Sequence, residues 1–118
     1  MAQDMAGRAS RRGPRTKYGA VRTTVDGLTF SSRRESRRYA ELVLLLRAGQ
    51  IRDLVLQPKY AIDVSGRHIS TYIADFAYTD LTTGQTVVED VKGVRTPLFI
   101  LKKKLVEALH PFTIREVR

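Results

Sequence analysis

The stretch from Ile69 to Lys92 constrains this chain most, because it reads as two strands joined by a tight loop, each strand carrying an aspartate. Ile69 to Tyr78 is one long run rich in β-branched and aromatic residues, a composition that suits a pleated, half-buried surface. Thr82-Thr83-Gly84 supplies a turn, and Thr86 to Lys92 forms the next strand. A loop of Leu81 to Gly84 makes Asp80 face Gln85. That register sets Asp75 opposite Asp90, with Cβ atoms about 5 Å apart. Lys92 lies two residues beyond Asp90 and so shares its face. A one-residue slip would undo the whole arrangement.

The flanking segments supply a mixed sheet and two helices. Asp26-Gly27 divides Val21 to Phe30 into a small hairpin. Ser32-x-x-Glu35 is a capping box opening a helix over about residues 32–48, and Gly49 is placed to end it. Leu54 to Gln57 reads as a short strand stopped by Pro58. Lys59 to Val64 alternates as a strand, and Ser65-Gly66 offers a turn. Thr96-Pro97 starts a second helix, in which Leu98, Leu101, Leu105 and Leu109 form an apolar stripe. Phe112 to Val117 is a last strand. A strand, helix, strand passage needs a crossover, so that strand is expected to lie parallel to a neighbour. The fold class is α/β. No internal repeat is visible.

Directly opposed carboxylates repel across a strand pair, and a divalent cation offsets the repulsion. Mg²⁺ takes a few carboxylates and keeps waters, and the Val91 carbonyl is the simplest further oxygen. Lys92 beside it could orient an attacking water or hold a scissile phosphate. The alternative is an ordinary hairpin with solvated charges. Asp75 speaks against it, because Tyr72, Ile73, Ala74, Phe76, Ala77 and Tyr78 surround it in sequence. A salt bridge from Asp75 to an arginine stays open. Glu35 falls on the apolar stripe of the first helix with Tyr39, Leu42 and Leu46, so it is either a cap or a third carboxylate for the metal. Glu89 points to the opposite face from Asp90 and is assigned a structural role. Gln57 either lines the site or ends an edge strand.

Several fragments together resemble the PD-(D/E)XK nuclease superfamily, in a short phage-encoded branch. They are Lys17-Tyr-Gly19, Asp26-Gly-Leu-Thr-Phe-Ser31, Glu35-Ser-Arg-Arg-Tyr39, Leu56-Gln-Pro58, Ala74-Asp-Phe76 and Val88-Glu-Asp-Val-Lys-Gly93. The resemblance runs from Tyr18 to Val117, about five-sixths of the chain. Ala74 stands where the signature proline would be. The resemblance implies a restriction-endonuclease-like core of four to five strands flanked by two helices. It implies DNA cleavage with Mg²⁺ or Mn²⁺ by Asp75, Asp90, Lys92 and Glu35. A homodimer, a phage or prophage origin and a bacterial host cytoplasm also rest on it. Holliday junctions and other branched DNA are the expected substrates, since about 100 ordered residues leave little room for sequence-reading elements.

Charge agrees with a polyanionic partner. The chain carries +9 at neutral pH. Residues 1–22 hold six basic side chains and one acid, giving +5 and leaving +4 for the rest. Residues 1–17 read as a disordered basic tail, and residues 18–118 as the nuclease domain. Arg33, Arg34, Arg37 and Arg38 crowd the first helix, and Lys102 and Lys103 the second. Gly93 and Arg95 follow the strand of Asp90. All are candidate DNA contacts, and solvated helix faces are the alternative. The absence of cysteine removes disulfides and thiolate metal sites. No stretch approaches the roughly 20 apolar residues that span a bilayer, and no apolar secretory segment stands at the N-terminus. His68 and His110 lie in turn contexts, away from zinc-ligand spacing. A non-catalytic DNA- or RNA-binding module remains the alternative function.

Overall fold

The structure, a computed structural model, describes residues 23–118. The expected tail at 1–17 and the fragment Lys17-Tyr-Gly19 lie outside the described residues. The backbone divides into two compact units, Met1–Glu41 and Leu42–Arg118.

In the first unit, β1 (Thr23–Val25) pairs antiparallel with β2 (Leu28–Phe30). Asp26 and Gly27 both take left-handed backbone, φ 53° and 75°, which suits a two-residue hairpin turn. Helix α1 (Arg33–Arg47) begins here and crosses the boundary. The Ser32 hydroxyl accepts the Glu35 N–H at 3.1 Å, half of the expected capping box. The Glu35 carboxylate instead accepts from the Ser31 hydroxyl at 2.7 Å. The far end of α1 closes as a Schellman motif: Gly49 has φ 75°, the Gln50 N–H reaches Leu45 O at 2.9 Å, and the Gly49 N–H reaches Leu46 O at 3.1 Å.

The second unit is built on a four-stranded mixed sheet. Its strands are β3 (Ile51–Leu56), β6 (Phe76–Asp80), β7 (Gln85–Val91) and β8 (Ile114–Val117), in that spatial order. Strands β3, β6 and β7 pair antiparallel, and β8 runs parallel to β7 through a helical crossover, as expected. A separate ribbon joins β4 (Lys59–Val64) and β5 (Arg67–Ile73) around Ser65-Gly66. Helix α2 (Pro97–Leu109) starts where Thr96 Oγ1 accepts the Phe99 N–H at 3.1 Å.

Three expectations are corrected. Ile69 to Tyr78 is two strands, broken at Ala74-Asp75. There the chain changes partners: the Ala74 N–H donates to Pro58 O at 3.0 Å and the Asp75 N–H to Glu89 O at 3.1 Å. The strand expected at Leu54 starts at Ile51 and carries a bulge, with Asp53 at φ 56°. Of the leucine stripe of α2 only Leu105 packs against the core, for Leu98, Leu101 and Leu109 are 60%, 55% and 45% exposed. Phe99 and Val106, seven residues apart, take the core instead. They pack with Ile62, Tyr72, Ala74, Ala77, Val88 and Ile114.

That core defines two faces of the sheet. Ala77, Val88 and Ile114 share the face under α2, and alternation places Asp90 and Glu116 on it too. Phe76, Tyr78, Glu89 and Arg115 belong to the opposite face.

Candidate active site

The β6–β7 register is the one expected, with Asp80 facing Gln85 and Phe76 facing Glu89. The regular pairing ends there, so the expected Asp75–Asp90 pair is not formed in register: the Asp75 N–H goes to Glu89 O, and its carboxylate reaches past Asp90 to the Val91 N–H. The four-residue loop that sets this register is pinned by Asp80, whose Oδ1 accepts the Thr82 N–H at 2.9 Å and the Thr82 hydroxyl at 2.6 Å. These bonds draw the Asp80 carboxyl below its ordinary range.

Asp75 is fixed from three directions. Its N–H bonds Glu89 O, its carbonyl accepts the Gln57 N–H at 2.9 Å, and its Oδ2 accepts the Val91 N–H at 2.7 Å. The carboxylate thus takes the backbone donor of Val91, the last residue of β7, from a position just before the first residue of β6. The Gln57 contact is through backbone, at a residue with φ 53°.

Asp90 is 2% exposed. Its Oδ1 lies 3.6 Å from Lys92 Nζ, and its Oδ2 accepts the Tyr72 hydroxyl. Burial, followed by the neighbouring Asp90 carboxylate, raises the Tyr72 pKa far above its ordinary value, so the hydroxyl stays a donor. Lys92 sits on the same face as Asp90, its ammonium 4.5 Å above the centre of the Phe99 ring.

A second charged group adjoins the first. Glu116 is the β8 neighbour of Asp90. Arg95 grips it with two bonds, Nε to Oε1 at 2.7 Å and Nη2 to Oε2 at 3.1 Å, and Lys103 Nζ donates to Oε2 at 2.9 Å. Arg95 first and Lys103 second hold its carboxyl below the usual range. Lys102 Nζ instead reaches Thr71 O at 3.3 Å. Gly93 is exposed.

The structure therefore brings Asp75, Asp90, Val91 and Lys92 together, with Arg95 and Lys103 on the Glu116 side. Glu35 is buried in the first unit beside Ser31. Arg33, Arg34 and Arg37 are exposed in that unit, and Arg38 pairs with Glu41 at 2.8 Å. Glu89 has the structural setting expected of it, buried with the Tyr78 hydroxyl on Oε2 and Arg115 Nη1 at 3.6 Å. Sequence reasoning missed Tyr72 and Glu116. Tyr72 passed as one aromatic among many, and the parallel register that places Glu116 beside Asp90 has no local signal.

Among the described residues, no three histidine, cysteine, aspartate or glutamate side chains converge as a cage. Asp75 and Asp90 remain, and the Val91 carbonyl faces the same edge of β7 as the N–H given to Asp75. Hard oxygen donors few in number suit Mg²⁺ or Mn²⁺, which retain water in their shells. Among the described residues, no helix is long and apolar enough to cross a membrane.

A model of a family described as a protein of unknown function, DUF1064, matches residues 15–117. No curated protein and no solved structure matches the chain.

Proposed function

We propose that this chain, which belongs to the DUF1064 family, is a metal-dependent endonuclease that hydrolyses phosphodiester bonds in DNA. The observation that carries the reading is the end of the β6–β7 pairing. There Asp75, its carboxylate on the Val91 N–H, adjoins Asp90, and a half-buried lysine stands 3.6 Å from Asp90. Adjoining like charges are costly in a strand pair, and a site for a cation gives them a use.

Asp75, Asp90 and the Val91 carbonyl would hold Mg²⁺ or Mn²⁺. When bound, the cation lowers the pKa of a coordinated water and stabilises charge on a phosphate oxygen. The Val91 N–H fixes the direction of the Asp75 carboxylate, and Lys92 aligns the incoming water or the scissile phosphate. Phe99 under the Lys92 ammonium narrows where that charge can go. Arg95 uses two of its five donors on Glu116, which leaves donors for a neighbouring phosphate. Lys102, Lys103 and Gly93 belong to the same DNA-facing set; Glu35 and the basic residues Arg33, Arg34, Arg37 and Arg38 of the first unit are a separate set of candidates, Glu35 for the metal and the arginines for phosphates. The reading includes a PD-(D/E)XK, restriction-endonuclease-like core and structure-selective cutting of branched or recombination DNA. It also includes a homodimer, a phage or prophage source and action in a bacterial cytoplasm.

One observation favours a second reading, a non-catalytic DNA- or RNA-binding module: only two of the proposed ligand carboxylates meet within the second unit. Incubation with Mg²⁺ or Mn²⁺ and linear, nicked, flap and four-way-junction DNA separates the two. The nuclease reading expects cleavage of at least one substrate, lost in Asp75→Ala and Lys92→Ala while binding persists. No cutting of any member with either metal rejects it.

A further inference from the structure

Tyr72 reaches the candidate site from a different sheet. It lies on β5 of the ribbon, is 3% exposed, and donates its hydroxyl to Oδ2 of Asp90, eighteen residues away on β7. Two residues further along, the Ala74 N–H bonds Pro58 O as the chain leaves the ribbon. The tyrosine is thus held both by the core under α2 and by the exit of its own strand.

We infer that Tyr72 is a positioning residue, which fixes the rotamer of Asp90 so that its carboxylate can serve a divalent cation; the inference rests on the metal-dependent reading above. Asp90 adjoins a like charge at Asp75, whose carboxylate is held on the Val91 N–H, and repulsion favours turning the Asp90 side chain away. Two groups prevent that. Lys92 acts on Oδ1 at 3.6 Å, beyond ordinary hydrogen-bond length. Tyr72 acts on Oδ2 as a hydrogen-bond donor. The difference in charge matters. A second ammonium at Oδ2 would compete with the metal for the carboxylate, whereas a neutral hydroxyl orients it and leaves its charge in place. Hydrogen-bond partners of ligating carboxylates commonly control metal affinity in this way. The ribbon, which supplies none of the proposed ligands, acquires a role as the support for Asp90.

The test is calorimetric titration of Mn²⁺ into the full chain, its Tyr72→Phe, Asp90→Asn and doubly substituted forms, and a Tyr60→Phe control. Tyr60 is another ribbon tyrosine, packed on Phe112 with ring centres 4.8 Å apart. Tyr72→Phe is expected to weaken Mn²⁺ binding roughly 10-fold. The double variant is expected to bind no more weakly than Asp90→Asn, because the hydroxyl acts only through that carboxylate. Tyr60→Phe should leave the affinity unchanged. Wild-type affinity in Tyr72→Phe overturns the inference and leaves the metal site standing. An equal loss in Tyr60→Phe also overturns it, by showing general damage to the ribbon. Failure of the wild-type chain to bind Mn²⁺ overturns the metal reading and the inference together.

Discussion

Glu89 and Asp90 are neighbours on β7, and both are buried acids. Each accepts a tyrosine hydroxyl, from Tyr78 and Tyr72 respectively. Each has a basic nitrogen at 3.6 Å, from Arg115 and Lys92. The difference lies across the strands. Glu89 faces Phe76 on one side and Arg115 on the other, so apolar surface and an opposite charge adjoin it. Asp90 pairs with Glu116 and adjoins Asp75, whose carboxylate takes the N–H of the next residue, Val91. Equal burial and similar hydrogen bonding therefore produce an acid set against apolar surface and one opposite charge on one face, and an acid set among further acids and their cations on the other. A buried acid by itself says little about function; the sign of what opposes it says more.

The contrast predicts opposite outcomes for substitutions on the two faces. Asp90→Asn should reduce DNA cleavage at least about 100-fold, the scale of losing a group that acts on transition-state charge. Its stability in chelator should stay within about 1 kcal/mol of wild type, since relief of the Asp75 repulsion offsets the lost Lys92 attraction. Lys92→Ala should match that loss of cleavage. Glu89→Ala should behave the other way, costing about 1–3 kcal/mol by stranding the buried Tyr78 hydroxyl, while each folded molecule keeps its activity. Urea denaturation and single-turnover cleavage measure both quantities. Cleavage lost equally in Glu89→Ala and Asp90→Asn, at matched folded fractions, would erase the distinction between the faces.

Metal should sharpen the same contrast. Mn²⁺ at about 100 times its dissociation constant should stabilise the wild-type chain by about 2.7 kcal/mol. The gain should survive in Glu89→Gln and vanish in Asp75→Ala and Asp90→Asn. Thermal melts with Mn²⁺ and with chelator decide it, and a persisting shift in Asp90→Asn would move the cation elsewhere.

What the sequence disclosed follows how local each determinant is. The β6–β7 register was legible because a four-residue loop and strand alternation fix it within twenty residues, and with it the shared face of Asp90 and Lys92; the departure of Asp75 from that register was not. The start of α2 was legible from Thr96-Pro97, and the end of α1 from Gly49. The break at Ala74-Asp75 was not, because its cause is a distant exchange of partners, Pro58 for one residue and Glu89 for the next. The core face of α2 was misjudged for a related reason. Leucine spacing offers a stripe, but which stripe turns inward depends on the surface it meets, and Phe99 with Val106 meets it better. Tyr72 and Glu116 belong to the same class, since each reaches Asp90 only through tertiary pairing.

Glu116 supports the smallest prediction, and its sign can be worked out. It stands beside Asp90 as Arg115 stands beside Glu89, but its negative charge is tied to Arg95 and Lys103. Those two cations hold its folded-state pKa below the ordinary value of 4.5. A carboxyl depressed by folding contributes stability that is complete above the unfolded-state pKa. That contribution disappears as pH falls through the folded-state value, because the unfolded chain then binds the proton more readily. Glu116→Gln should therefore be less stable than wild type at pH 7, and the gap should narrow as pH falls below about 4.5. Added salt should narrow it at pH 7 as well, since Arg95 is half-exposed. Urea denaturation across pH 3 to 7 reads the gap directly. A gap that stayed constant through the acid range would mean that Glu116 acts by packing, leaving Asp75 as the acid that sets the Asp90 face apart from that of Glu89.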